Sequence, residues 1–322
     1  DYGVSLSKTG EYMASGQCGD NVFWTLDWNG LLTVSGNGAM WDVLDTMPWD
    51  GYGEYVKKAV IKNGITSISD MAFYNNCSME EVSIPETVTS IGFSAFGQCD
   101  SLKAIEIPNS VKEVGEEAFI GCSSLKQATL SKKMTKISKN MFRYCVELES
   151  VEITEGIKEI DMYAFGSCLG LKGISFPKSL QTIKSEAFLG AFDVNGHVKL
   201  IVPENVEVVE KLAFAASGVY EVVWNSKSEH LESLVFAECP YLRKVEISDR
   251  VTSIGEGTFR LCNDLRYVKL PDNLQKTDKG VFEYCRGLQE IEIPGSLKQV
   301  AEEMFIRCEN LTSIVFHDGT EI

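Results

Sequence analysis

The stretch Cys99-Asp100-Ser101-Leu102-Lys103-Ala104-Ile105-Glu106-Ile107-Pro108-Asn109-Ser110-Val111-Lys112-Glu113-Val114-Gly115-Glu116-Glu117-Ala118-Phe119 decides the fold, because the chain repeats it. Phe119 belongs to a series, Phe73, Phe96, Phe119, Phe142, Phe165 and Phe188, in which each member follows the last by 23 residues. The series then steps by 26 to Phe214, by 22 to Phe236, and by 23 to Phe259, Phe282 and Phe305. Eleven anchors in one register mark a repeat architecture, which has to be recognised before any local element is assigned.

Other columns travel with the Phe. Five residues before it stands an apolar residue (Ile91, Val114 and Ile137 in successive repeats, with Thr277 the one exception). Three further back lies another (Val88, Val111 and Met134, broken only by Ser228). After the Phe come Cys and, three residues on, usually Leu, then a short alternating run such as Ile105-Glu106-Ile107-Pro108 or Ile291-Glu292-Ile293-Pro294. Period two over three or four residues predicts a very short strand with its apolar side inward. Pro ends it where no ladder donor is needed. The segment from Val88 to Phe96 returns the chain on the opposite face, and its Ala-Phe pair suits a tight helical or 3₁₀ turn. One repeat cannot bury its own Ile, Leu and Phe, whereas stacked neighbours turn each column into a ladder. The expected fold is an α/β-type repeat solenoid of about eleven rungs, roughly 50 Å long at ~4.8 Å per strand spacing, with its strands lining a concave wall.

The composite pattern Cys, Leu, Ile-x-Ile-Pro, Val, Ile-Gly, Ala-Phe resembles the BspA-like class of leucine-rich repeats over about residues 59–317. The resemblance implies a right-handed leucine-rich-repeat array. It also implies an exported or surface-attached bacterial protein, since members are typical of host-associated anaerobes and some protist parasites, and several act as adhesins. The family carries no catalytic signature, so the resemblance brings over no active site.

Residues 1–58 lack the repeat and are read as an N-terminal β-hairpin cap on a solenoid of residues 59–322. Val22 to Leu26 and Leu31 to Val34 flank Asp27-Trp28-Asn29-Gly30, a strong hairpin signal. Trp24, Trp28, Trp41 and Trp49 place four of the five tryptophans here. They read either as an aromatic binding surface or as a cover for the first rung, which an open solenoid end requires. The sequence stops just after Ile314-Val315-Phe316, so either a further segment follows in the full protein or the last edge is partly open.

With 46 acidic and 30 basic residues the formal charge is -16. Such a field repels phosphate backbones and anionic headgroups, so no nucleic-acid partner is expected. No apolar run approaches the ~18–20 residues of a membrane helix, so no membrane insertion is expected either. The start shows no basic and apolar signal segment, which leaves a leader removed or outside this sequence.

Nine of the ten cysteines occupy one repeat column: Cys77, Cys99, Cys122, Cys145, Cys168, Cys239, Cys262, Cys285 and Cys308. Side chains one rung apart point the same way, so four cannot converge on zinc, and parallel Cβ vectors suit a disulfide poorly. A ladder of reduced, buried thiols is expected. His197, His230 and His317 have no partner at metal-ligand spacing, and no Gly-x-Ser-x-Gly, phosphate loop, His-Glu-x-x-His or calcium loop occurs. Carboxylates on the wall, Glu106, Glu152, Glu290 and Glu292 among them, invite a glycosidase reading. They equally fit the outward polar positions of half-buried strands. The expectation is a protein that is not an enzyme and needs no metal or cofactor.

Solenoids bind through the outward side chains of their concave strands. One outward column runs Ser83, Glu106, Thr129, Glu152, Ser175, Ile201, Val223, Glu246, Lys269, Glu292, Val315, and its neighbour includes Lys199, Glu221, Lys244 and Tyr267. Two irregular repeats adjoin in the middle. Three residues are added between Phe188 and Phe214, one is lost before Phe236, and both repeats lack Cys. There the column turns apolar at Ile201 and Val223. Such irregularities mark either a binding face or a neutral change of curvature. The candidate contacts are Phe192, Ile201, Tyr220 and Val223, with Lys199 and Lys244 offsetting the acid excess so as to admit an acidic partner. Two readings follow. One is an adhesin-like module for a host or microbial protein or glycan. The other is a structural spacer or coat whose recognition element lies elsewhere.

Overall fold

A computed structural model describes residues 5–6, 12–42 and 47–318. The chain forms two compact units, residues 1–157 and 158–322.

In the first unit the strands Tyr12–Gly19, Val22–Asp27 and Leu31–Gly36 pair antiparallel. Asp27 closes the tight turn, its Oδ1 accepting the backbone N–H groups of Asn29 and Leu31 at 2.8 and 2.9 Å, and Gly30 supplies a φ of 85°. Leu31–Gly36 then pairs in parallel with Lys58–Ile61, and that strand with Glu81–Ser83, so the hairpin and the first rungs share one sheet. Ala104–Glu106, Gln127–Thr129 and Ser150–Glu152 continue as a parallel ladder, with Glu106, Thr129 and Glu152 side by side. A second parallel ladder, Gly38–Ala39, Ile65–Ile68, Ser90–Ile91 and Glu113–Val114, carries the apolar column five residues before each Phe, with Gly following it at Ile91 and Val114. The glycine at 115 has a steric cause. A Cβ on Gly115 would lie 2.5 Å from the backbone of Gly92 in the preceding rung.

The second unit repeats the plan. Val198–Val202, Val219–Trp224, Lys244–Ile247 and Tyr267–Lys269 form a parallel ladder, and Glu290–Ile293 pairs with Ser313–Phe316. The second ladder runs through Glu159–Ile160, Thr182–Ile183 and Val208–Val209, and again through His230–Leu231, Ser253–Ile254 and Lys276–Thr277.

Between the ladders the phenylalanines stack. Centroids of Phe73, Phe96, Phe119 and Phe142 lie 5.1, 5.4 and 5.5 Å apart in the first unit. In the second, successive rings from Phe165 to Phe305 lie 5.1–5.9 Å apart. The spine begins one rung before the repeat. Trp49 stacks on Phe73 at 5.6 Å, and its indole N–H donates to the Ala72 carbonyl at 2.8 Å. Trp24 packs edge-on against Trp49 at 5.8 Å. Both tryptophans are buried, whereas Trp28 at the hairpin tip is exposed and Trp41 donates to Asp20. Trp24 and Trp49 therefore cover the first rung.

The return turn differs from the helical or 3₁₀ form expected. At every rung the residues two before and two after the Phe take a left-handed φ, from Met71 (53°) and Asn75 (60°) to Glu303 (57°) and Arg307 (60°). Alternating hands make overlapping turns rather than a helix, and they free every second N–H for the next rung. Ser94, Phe96 and Gln98 donate to the carbonyls of Glu116, Ala118 and Ile120, and Glu117, Phe119 and Gly121 to those of Lys139, Met141 and Arg143. The turns are thus a hydrogen-bonded ladder in their own right, which meets the backbone's need for partners without a helix.

The cysteine column has a comparable role. Cys99, Cys122 and Cys145 each donate their thiol to the carbonyl of the Phe one rung earlier, at 3.1 Å. Cys239, Cys262, Cys285 and Cys308 do the same at 3.0–3.2 Å. All ten cysteines are free, and only Cys77 and Cys308 are less than fully buried. Burial pushes the Cys18 thiol up to about 12 and that of Cys308 to about 11.

Candidate functional site

The outward columns emerge in register on each strand wall. In the second unit Lys199, Glu221, Lys244 and Tyr267 stand side by side, and so do Ile201, Val223, Glu246 and Lys269. Their inward neighbours Leu200, Val222, Val245 and Val268 fill the core. The fold therefore constrains the inward residues and leaves the outward ones open to other uses.

The two irregular repeats build a local structure of their own. The loop after Phe188 brings in Phe192, which is 1% exposed, adopts a φ of 76°, and stacks on Phe188 at 5.6 Å. Phe192 is thus corrected from candidate contact to core residue, while Val194 turns out to solvent. The pairing of Val198–Val202 with Val219–Trp224 shifts register, Val198 facing Val219 but Lys199 facing Glu221, which leaves Tyr220 as the extra residue of a bulge. Such a bulge re-aims side chains. Here it turns the half-buried Tyr220 to the edge of the wall. There its ring meets His197 at 4.6 Å and the Arg243 guanidinium at 5.3 Å, and its hydroxyl accepts from Arg243 at 3.3 Å. Arg243 also reaches Asp264 at 3.4 Å. Trp224, standing where other repeats have Ile-Pro, is buried edge-on against Phe236.

Ile201 is 48% exposed, with the half-buried Val223 beside it. Pro203, Glu204, Asn225, Ser248 and Arg250 continue from Ile201 as a shallow hollow. The lysines above this apolar pair are not available to an acidic partner as expected. Lys199 and Lys244 both bind Glu221, at 3.2 and 3.3 Å, and Lys244 also binds Glu246 at 2.7 Å. Partial burial pushes the Glu221 carboxyl up, but the hydrogen bonds from both lysines outweigh it and hold the group below its usual range. The centre of the wall is therefore an apolar pair beside a charge-balanced network.

The three histidines lie apart. His230 bonds Ser253 at 2.8 Å, His317 meets Glu292 at 3.3 Å, and His197 packs on Tyr220. Among the described residues no group of three His, Cys, Asp or Glu side chains could hold a metal ion, and no helix is long and apolar enough to cross a membrane. The expected candidates that the structure brings to the surface together are Ile201 and Val223, with Tyr220 at their edge. Tyr267, 50% exposed on the same wall, was not among them. A single aromatic in an outward column is the signal that would have found it.

A family model for the BspA type leucine rich repeat region matches residues 66–195 and 189–312 in six copies. Among solved structures, a leucine-rich repeat protein from Bacteroides ovatus is 23% identical, covering 94% of this chain and 97% of that one with a TM-score of 0.62. Another from Eubacterium ventriosum is 21% identical, covering 91% and 94% with a TM-score of 0.53. These likenesses show the fold. No curated protein matches the sequence.

Proposed function

Because the chain belongs to the BspA-type leucine-rich repeat family, we propose that it is a non-catalytic, adhesin-like binding module. It acts in a secreted or surface-displayed setting and recognises a host or microbial protein or glycan through its strand wall. The observation that carries this reading is the Ile201–Val223 pair. Outward positions of a half-buried strand are ordinarily polar, and here two adjacent ones are apolar although the core beneath is already complete. Apolar anchors that a partner can desolvate dominate binding energy. Tyr220, fixed between His197 and Arg243, forms the rim of that contact. Because Glu221 and Glu246 neutralise the neighbouring lysines, the partner surface is apolar and of mixed polarity rather than strongly acidic.

The test is a screen of immobilised matrix proteins and glycans against the intact chain, followed by the Ile201→Glu and Val223→Glu variants. A ligand that is captured by the native chain and lost by both variants, with melting unchanged, supports the reading. Inertness towards the whole screen would favour a structural spacer.

A further inference from the structure

The wall has a second distinctive place, at one of the points where strand pairing is interrupted. Tyr267–Lys269 ends one parallel ladder and Glu290–Ile293 begins another, although the two strands occupy successive repeats. A slot of about 400 Å³ opens there, with Val268, Leu270 and Ile291 at its floor and Tyr267, Lys269 and Glu290 on its rim. Backbone groups along an interrupted ladder need partners from solvent or a ligand.

The side chains around the slot contrast with those on the three rungs before it. Lys199, Glu221, Lys244 and Glu246 are tied to one another. Among the described residues, the side chains of Lys269, Asp272 and Glu290 have neither an ion-pair nor a hydrogen-bond partner, and all three are exposed. Tyr267 presents half its surface beside them, with the Lys244 ammonium 5.8 Å from its ring.

On the reading of this chain as a binding module, we propose that the slot takes a neutral saccharide of one or two pyranose rings. Tyr267 is its platform, and Lys269, Asp272 and Glu290 are its hydroxyl partners. The size lies within the usual range for small-ligand sites. The electron-rich face of an aromatic ring suits the C–H face of a pyranose. A hydroxyl both donates and accepts, so it uses an ammonium and carboxylates together. Acidic sugars are disfavoured, because Asp272, Glu290 and Glu292 outnumber Lys269. An inserted peptide strand is disfavoured by spacing. It would need about twice the ~4.8 Å strand separation, yet the spine holds these rungs at 5.5 Å from Phe259 to Phe282.

The experiment is saturation-transfer NMR on the intact chain with methyl glucoside, methyl galactoside, methyl mannoside, N-acetylglucosamine, lactose and cellobiose, and with glucuronate as the charged comparison. At least one neutral sugar is expected to receive saturation while glucuronate does not. Tyr267→Ala should weaken that sugar about tenfold, and Tyr267→Phe should retain it. Glu290→Lys, at an exposed position, provides a second variant and should also weaken it, whereas Ile201→Glu should leave it unchanged. Silence from every neutral sugar, binding that survives both Tyr267→Ala and Glu290→Lys, or equal binding of glucuronate would overturn the proposal. A protein captured through Ile201 and Val223 with no sugar in the slot would end this inference and leave the wall reading standing.

Discussion

Replacing Phe119 with Ala removes one ring from the stacked spine. The ring is fully buried, and Phe96 and Phe142 lie 5.4 and 5.5 Å from it in nearly parallel planes. Truncating a buried Phe costs about 3–5 kcal/mol from lost transfer energy and the cavity left behind. Two stacked contacts, each worth roughly 0.5–1.5 kcal/mol beyond buried area, go with it. The neighbouring turns cannot collapse into the hole, because the amides of Glu117, Phe119 and Gly121 are pinned to the next rung. The loss should therefore fall near the top of the range, about 4–5 kcal/mol. Phe119→Leu, which keeps much of the volume, should lose only about 1–2 kcal/mol. Glu106→Ala, on the exposed side of the strand wall, should change stability by less than about 0.5 kcal/mol. Urea unfolding followed by tryptophan fluorescence reads this unit through Trp24 and Trp49. A loss below about 1.5 kcal/mol for Phe119→Ala, or an equal loss for Glu106→Ala, would refute the assignment of inward and outward columns.

Thiol titration in denaturant without reductant should recover ten thiols, and in the native protein only Cys77 and Cys308 should react appreciably; four or five disulfides would contradict the ladder. Because burial raises the Cys18 and Cys308 thiols above the unfolded value of about 8.5, their contribution to stability is intact below that pH. It should erode as pH rises through about 11 for Cys308 and about 12 for Cys18; stability that improves on raising pH over this window would refute it. Ala216 is exposed with a φ of 52°, so Ala216→Gly should stabilise by about 0.5–1 kcal/mol. Gly121→Ala should destabilise, since φ is 69° and the added Cβ would meet the Gln98 side chain at 2.4 Å; opposite signs in the same unfolding assay would show that the left-handed positions carry no strain. Trp49→Phe keeps a ring on Phe73 but deprives the Ala72 carbonyl of its indole donor, a loss of about 1–3 kcal/mol by thermal melting; unchanged melting would show that the spine does not need its first member.

The parts of this fold legible in the sequence are those enforced by periodic burial. The Phe column, the strand alternation and the Cys column recur because each rung meets the same surroundings, so spacing alone places Phe119, Ile105 and Cys122. The left-handed pairs were hidden, because Met71, Glu117, Leu234 and Tyr284 share no chemistry that announces a positive φ. Their conformation comes from the ladder they complete. Trp49 was read only as part of a cap, since its offset from Phe73 and its residue type break the pattern it continues. At the candidate site, Ile201 and Val223 were legible as breaks in a polar column. Phe192 was misread, because a lengthened loop gives no spacing from which to tell core from surface. Lys199 and Lys244 were counted as free charge, since sequence spacing does not show that both converge on Glu221.

The most direct test of recognition through the strand wall is amide hydrogen exchange of the intact chain with and without a ligand found in the screen. Protection is expected to concentrate at residues 199–203 and 219–225, with the ladder at 117–121 unchanged. Protection confined to the hairpin around Phe23 and Trp28, or spread evenly over both units, would contradict it.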